Sequence, residues 1–312
     1  MTSDATILIF MHIPKAAGMS LRQIIVRQYG PDRVSVPQPQ EGPTLLRHWQ
    51  YLRGEGGTAP KALPGFDPNG LPRRELAKLT PDATSRLHVV MGHLWFGLHD
   101  ALPRPATYMT VLRDPVERVL SLYFYRRRRQ GLTGTLDDYL DAGRDFELDN
   151  GQTRYLCGRL EGVDVRFTPC TPAMLEMAKS HLREHFSVVG VAERFDESLL
   201  LMARTFGWDR PFYERYNVNR LRPRGRRVPR RVRGRIAEQN RFDRELHAFA
   251  SRLLDEHLAA QDPPIDRAAV RGFRRSNLLR RSATLRALYP ATKPFLRIVR
   301  SSGRPTRRPM SS

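Results

Sequence analysis

Cysteine is nearly absent from the 312 residues: Cys157 and Cys170 are the two, and they lack the paired spacing of zinc ligands. That argues against a disulfide framework or a zinc site, and it leads to the expectation of a reducing, cytoplasmic setting. No apolar run reaches the roughly 18 residues that span a bilayer, so no transmembrane helix is encoded. The opening residues, MTSDATILIF, have no basic stretch and no small-residue cleavage site; they are expected to form a first strand rather than a signal peptide. Acidic residues are missing altogether from 267–312, a stretch that carries thirteen Lys or Arg. A second basic cluster, RLRPRGRRVPRRVRGR, spans 220–235, and the net charge is +21. Arginine dominates, and its planar fork pairs bidentately with phosphate, sulfate or carboxylate. An anionic partner is therefore expected: nucleotide, nucleic acid, acidic glycan or membrane surface. A solvated surface with the arginine bias of a GC-rich genome explains the tail equally well.

What is present is an alternation. TILIFMHI, RLHVVMGH, ATYMTVLR and FSVVGVAE are short apolar or β-branched runs that read as buried strands. Helical patterns follow Gly18, follow Asp114-Pro115, and run from about 194 to 206. Strands alternating with helices predict an α/β fold with a doubly wound parallel sheet. Residues 31–70, rich in Pro and Gly, read as a long surface excursion. One long helix is expected over 232–260, stopped by Pro263-Pro264. Beyond it lies the basic tail. Its Pro, Gly and Ser content predicts partial disorder, and its charge predicts contact with an anionic membrane or polymer, peripheral on the inner membrane surface.

In such sheets ligands gather at the carboxyl ends of the strands. HIPKAAGMSL, at the end of the first strand, brings Lys15, Gly18 and Ser20 to a strand-to-helix junction. A glycine lets several N–H groups turn inward, the helix start adds its positive end, lysine a point charge and serine a hydroxyl. This is phosphate-binding chemistry. It is not the Walker loop, whose lysine follows the second glycine; here Lys15 precedes Gly18 by three residues. The third strand repeats the logic in YMTVLRDPVERVLSLYFY: Arg113 ends the strand, Asp114 caps the helix and Pro115 opens it. Val116, Val119, Leu120 and Tyr123 share a face predicted to pack on the sheet, and Ser121 falls on another. An arginine fork and a hydroxyl approaching from two sides make a phosphate clamp.

These pieces resemble the sulfotransferases that use 3′-phosphoadenosine 5′-phosphosulfate (PAPS), in the branch related to heparan sulfate 2-O-sulfotransferase and the carbohydrate sulfotransferases. HIPKAAGMSL resembles their 5′-phosphosulfate loop and LRDPVERVLSLYFY their 3′-phosphate motif. VVMGHLWFGLH, DNGQTRYLCG, VVGVAERFDESLLL and YNVN fit the family's order, from about residue 6 to 258. The resemblance implies a P-loop-like doubly wound sheet of four to five strands, a sulfotransferase domain over 1–262, and a partly disordered basic tail over 263–312. It implies that PAPS is the sulfuryl donor, that no metal takes part, and that the acceptor is a hydroxyl-bearing carbohydrate. Residue by residue, it implies that Lys15 stabilises the departing 5′-phosphate, that Ala17, Gly18, Met19 and Ser20 form its cradle, and that Arg113 and Ser121 bind the 3′-phosphate. His93 would be the general base. Ala16 and Met19 stand where the family usually has Thr, so two hydroxyls are lost from the cradle. YNVN precedes a loop that would close over the nucleotide, and one or more of Arg220, Arg222, Arg224, Arg226 and Arg227 should then reach an anion.

A base that takes a hydroxyl proton suits an imidazole near neutral pKa. His93 ends the second strand on the edge that carries Lys15; His12, His88 and His99 compete. No clustered Asp, Glu or His offers metal-ligand spacing. Asn150, Gln152 and Arg154 either donate to sugar hydroxyls or carboxylates, or cap and brace a helix. Trp95, Phe96 and His99 either stack on a sugar or pack in the core. A nucleic-acid or polyanion-binding protein built on the Arg clusters is the alternative, with a nucleotide kinase third; the first lacks a reading module, so no specific nucleic acid is expected, and the second lacks magnesium ligands.

Overall fold

A strand that is apolar at every position belongs in the middle of a sheet covered on both faces. Ile7–Met11 (β1) is such a strand, and all five residues are buried. The computed structural model describes residues 6–37, 67–141, 145–209, 211–213 and 228–279. In it β1 is the central strand of a five-stranded sheet ordered β2-β3-β1-β4-β5, with β2 at Val34–Ser35, β3 at Val89–Gly92, β4 at Ala106–Leu112 and β5 at Phe186–Val191. Every pairing is parallel. The α/β, doubly wound parallel fold expected from the alternation is the one observed. β2 falls inside the stretch read as a surface excursion, because two residues are too few to show a period; residues 38–66 lie outside the described residues.

The helices that matter for the site are α1 (Gly18–Tyr29), α2 (Gly70–Ala77), α3 (Pro81–Ser85), α4 (Pro115–Gln130), α5 (Leu136–Asp141) and α6 (Gly151–Cys157). After them come α7 (Pro172–Glu184), α8 (Phe195–Phe206), α9 (Arg230–Gln239), α10 (Arg241–Ala259) and α11 (Arg267–Leu279). Because β3 and β4 flank β1, the direction of winding reverses across β1, and the crevice outside its carboxyl end is the switch point.

Two expectations are corrected, and the start of the expected tail lies among the described residues. The apolar stripe of α4 does not pack on the sheet: Val119, Leu120 and Tyr123 join Tyr139, Leu140, Leu148, Val232 and Ile236 in a second core, because α5 and α9 cover that face. The single long helix over 232–260 is two helices. They part at Asn240, whose amide donates to Leu148 O (2.7 Å) and Ile236 O (2.9 Å) and accepts the Asn150 N–H (3.1 Å). Part of the expected tail, Arg267–Leu279, is helical. α11 buries Val270 and Phe273, and Arg274 pairs with Asp196 of α8 at 2.6 Å. The start of the stretch expected to be a partly disordered tail is thus held by a carboxylate from another helix. Residues 280–312 lie outside the described residues.

Candidate active site

Between β1 and α1 the chain turns through two left-handed non-glycine residues, Lys15 at φ 68° and Ala17 at φ 63°. Each such residue costs about 1–2 kcal/mol, which marks a loop held for a purpose. Left-handed bends turn successive N–H groups toward a common concavity, an anion-binding shape. Ala17, exposed at the start of α1, offers no side-chain cap, and the first turn holds no acid. The N-terminal end of α1 thus carries its positive dipole with no side-chain cap or acid to offset it. Met19 and Ser20 sit half-buried in that turn. Gly18 is required by a neighbour: a Cβ there would stand 1.9 Å from Cδ2 and 2.0 Å from Nε2 of His12.

At the end of β4, Arg113 is half-buried and its Nη1 donates to Lys15 O at 3.0 Å, tying the two loops together. Glu117 and Glu193 lie 3.8 and 3.9 Å from its guanidinium. The backbone of Arg113 is gripped on both sides by Gln152, whose Oε1 accepts the N–H and whose Nε2 donates to the carbonyl, both at 2.9 Å. Ser121 shares a face of α4 with Tyr125, and the Lys15 ammonium lies 4.1 Å from the Tyr125 ring centre. Lys15, Arg113 and the Ser121–Tyr125 face thus meet on the β4 side of β1.

His93 follows β3, on the other side of β1. Its Nδ1 lies 2.8 Å from His12 O. A carbonyl can only accept, so Nδ1 carries the hydrogen and Nε2 is left as the acceptor. His93 is exposed to solvent along one edge, while protein atoms crowd the ring on its other sides. That desolvation lowers its pKa to about 4, against the raising effect of the His12 carbonyl and with help from the Arg22 and Lys15 charges. His12, 4.5 Å away centre to centre, is held well below the usual range, first by burial and then by His93, Arg22 and Lys15. Both shifts favour the neutral imidazole. His88 precedes β3 at the amino end of the sheet, and His99 hydrogen-bonds Tyr108 at 2.9 Å inside an aromatic cluster. Neither reaches the loop.

The acceptor-side expectations are corrected. Asn150 is 3 % exposed and its side-chain oxygen accepts the N–H groups of Phe242 (2.9 Å) and Asp243 (3.1 Å), capping α10. Asp243 returns the favour to α6, accepting from the N–H groups of Gln152 (3.1 Å) and Thr153 (2.8 Å). Arg154 spends its guanidinium on Asp149, Val165 O (2.5 Å) and Thr168 O (2.6 Å). Trp95 packs 4.5 Å from Tyr155 and 5.8 Å from Phe146 in the core. None of the three presents a group to a sugar; DNGQTRYL braces Arg113 instead. Sequence reasoning missed the Gln152 clamp, the Tyr125 ring under Lys15, and Arg22. The one signal for Arg22 was its place four residues after Gly18. Among the described residues no cluster of three His, Cys, Asp or Glu is placed to hold a metal ion. Arg220, Arg222, Arg224, Arg226 and Arg227 lie outside the described residues.

Residues 63–290 match the family described as galactose-3-O-sulfotransferase, a span that begins after the Lys15 loop. Galactose-3-O-sulfotransferase 3 of Homo sapiens is 28% identical over 229 residues, 67% of this chain and 53% of that protein. Heparan sulfate 2-O-sulfotransferase 1 of Gallus gallus is 30% identical over 112 residues, 30% of each. A solved sulfotransferase of Alicyclobacillus acidocaldarius aligns over 80% of this chain and 95% of that one at 15% identity, with a TM-score of 0.40. The chain spans about half the length of the human relative and less of the other. The expected cytoplasmic setting is overturned by these relatives, since the galactose-3-O-sulfotransferases are Golgi lumenal membrane enzymes. No helix among the described residues is long and apolar enough to cross a membrane.

Proposed function

The chain belongs to the galactose-3-O-sulfotransferase family, and from that premise we propose that it moves a sulfuryl group from PAPS to a carbohydrate hydroxyl, with His93 as general base. The observation that carries the base is the locked tautomer: Nδ1–H is committed to His12 O at 2.8 Å, which leaves the Nε2 lone pair for a hydroxyl proton. The neighbouring residues suit a donor with two anionic ends. The left-handed loop and the uncapped N-terminus of α1, with Gly18 and Ser20, suit a 5′-phosphate. Arg113 and Ser121 suit the 3′-phosphate. PAPS, when bound, supplies a sulfuryl group already joined to a phosphate leaving group.

Lys15 neutralises the charge that grows on that phosphate, a contribution made only as the bond breaks. Gln152 holds Arg113 in register while its fork grips the distal phosphate. His93 accepts the acceptor's proton at Nε2. Its lowered pKa keeps it neutral beforehand, and anionic groups arriving beside Lys15 and Arg22 offset the cations that weaken it as a base. The test is His93→Ala. Calorimetry with 3′-phosphoadenosine 5′-phosphate (PAP) should give near-normal affinity, while transfer of labelled sulfate should fall about 10²–10⁴-fold. Full activity in this variant would remove His93 from the chemistry.

A further inference from the structure

Arg22 differs from the other arginines around the crevice in that no carboxylate answers it. Arg113 has Glu117 and Glu193, and Arg118 has Glu147 and Asp243. Arg22 is half-buried and, among the described residues, has neither a hydrogen bond nor an ion pair. A cation drawn partly out of water without a partner is costly. Its position adds to the cost, since it lies in the first half of α1, where the helix end is already positive and no acid stands in the first turn.

The geometry says where its charge is directed. Arg22 is four residues after Gly18 and so shares its face of α1, and helical side chains lean toward the N-terminus. Gly18 has no side chain to block it, and the His12 ring fills the place its Cβ would take. Arg22 therefore leans over His12 toward His93, whose ring lies 4.5 Å from that of His12. A second polar group there is also unanswered: His12 is 5 % exposed, and its Nδ1 has no hydrogen-bond partner. Both open groups lie beside His93, where the Arg22 and Lys15 charges act on the His12 and His93 rings alike.

We propose that Arg22 reads an oxyanionic substituent, a carboxylate or a sulfate ester, carried by the acceptor beside the hydroxyl that His93 deprotonates. Acidic glycans are then the preferred substrate class. The inference rests on His93 marking the acceptor side of a sulfuryl-transfer site. The donor's own sulfuryl group is an oxyanion too, and the test separates the two sources. Full-length protein and labelled PAPS are assayed on a panel of uronic-acid and sulfated tetrasaccharides, each beside its carboxyl-reduced or desulfated counterpart. Wild type should favour the anionic member of at least one pair. Arg22→Gln should lose roughly 10–100-fold in kcat/KM on that member alone, the worth of one charge-assisted hydrogen bond, with KM for PAPS unchanged. Arg22→Lys should recover part of the loss. Equal losses on both members with a raised KM for PAPS would assign Arg22 to the donor. Equal rates on both members throughout the panel, or an Arg22→Gln enzyme indistinguishable from wild type, would overturn the inference. A wild-type protein that does not bind PAP would remove the underlying reading, and the inference with it.

Discussion

Replacing Gln152 separates the arginine's charge from its placement. Gln152 is fully buried, and its amide closes a two-bond bridge to the backbone of Arg113, each bond 2.9 Å. Gln152→Ala leaves that N–H and carbonyl without partners at the end of β4. An unmet buried polar group costs about 1–3 kcal/mol, and Arg113 is half-buried, so the lower end applies to each: about 2–3 kcal/mol in all. For a domain of this size that lowers Tm by about 3–6 °C. The loosened strand end should carry the Arg113 fork away from the distal phosphate, raising KM for PAPS roughly 10-fold, less than the full worth of a charged hydrogen bond. Turnover should change less than KM, because His93 sits on another loop and Lys15 is joined to Arg113 through a single backbone carbonyl. Gln152→Glu has the same shape but sets an oxygen against the Arg113 carbonyl, so it should move KM in the same direction. Initial rates with PAPS varied, beside a thermal melt, give both quantities. A lowered Tm with an unchanged KM would mean that Gln152 braces the fold and nothing more. A fall in turnover at constant KM would mean that Arg113 does not hold the cofactor.

Two further outcomes are expected. Asp243→Ala strips the acceptor from the α6 N–H groups and leaves Arg118, fully buried, short of one of its two carboxylates; urea unfolding should show a loss of about 3–5 kcal/mol, and an unchanged midpoint would contradict the buried network. His12 and His93 are both held below the ordinary 6.5, so between that value and about 4 the unfolded chain binds more protons than the folded one. Stability should therefore be fully present above pH 6.5 and fall as pH drops toward 4; the urea midpoint should follow this slope, less steeply in His93→Ala, and an equal slope in that variant would refute the assignment.

Much of the sheet was readable because β1 and β3 are continuous apolar runs, and β4 and β5 nearly so, as strands buried on both faces are. The two strand ends proposed to bind the donor were readable because Lys15, Gly18 and Arg113 follow those runs directly. What was hidden depends on distant partners. DNGQTRYL looks the same whether its polar groups meet a sugar or meet Asp243 and Asn240, ninety residues away in the chain. Likewise the acid-free segment after 266 gave no hint that Asp196 on α8 would hold α11 in place. Gly18 read as a phosphate residue, whereas its nearest demand is the His12 ring. Arg22 was silent for the opposite reason: its significance lies in having no partner, which no sequence pattern displays.

Calorimetry of the full chain with PAP, and separately with ATP and magnesium, tests most directly whether the Lys15 loop and Arg113 form a PAPS site. One molecule of PAP should bind per chain, about 10–100-fold more weakly in Arg113→Ala for the loss of a charge-assisted contact, with no comparable heat from ATP and magnesium. Binding of ATP with magnesium while PAP stays silent would contradict the assignment, as would PAP affinity that survives both Lys15→Ala and Arg113→Ala.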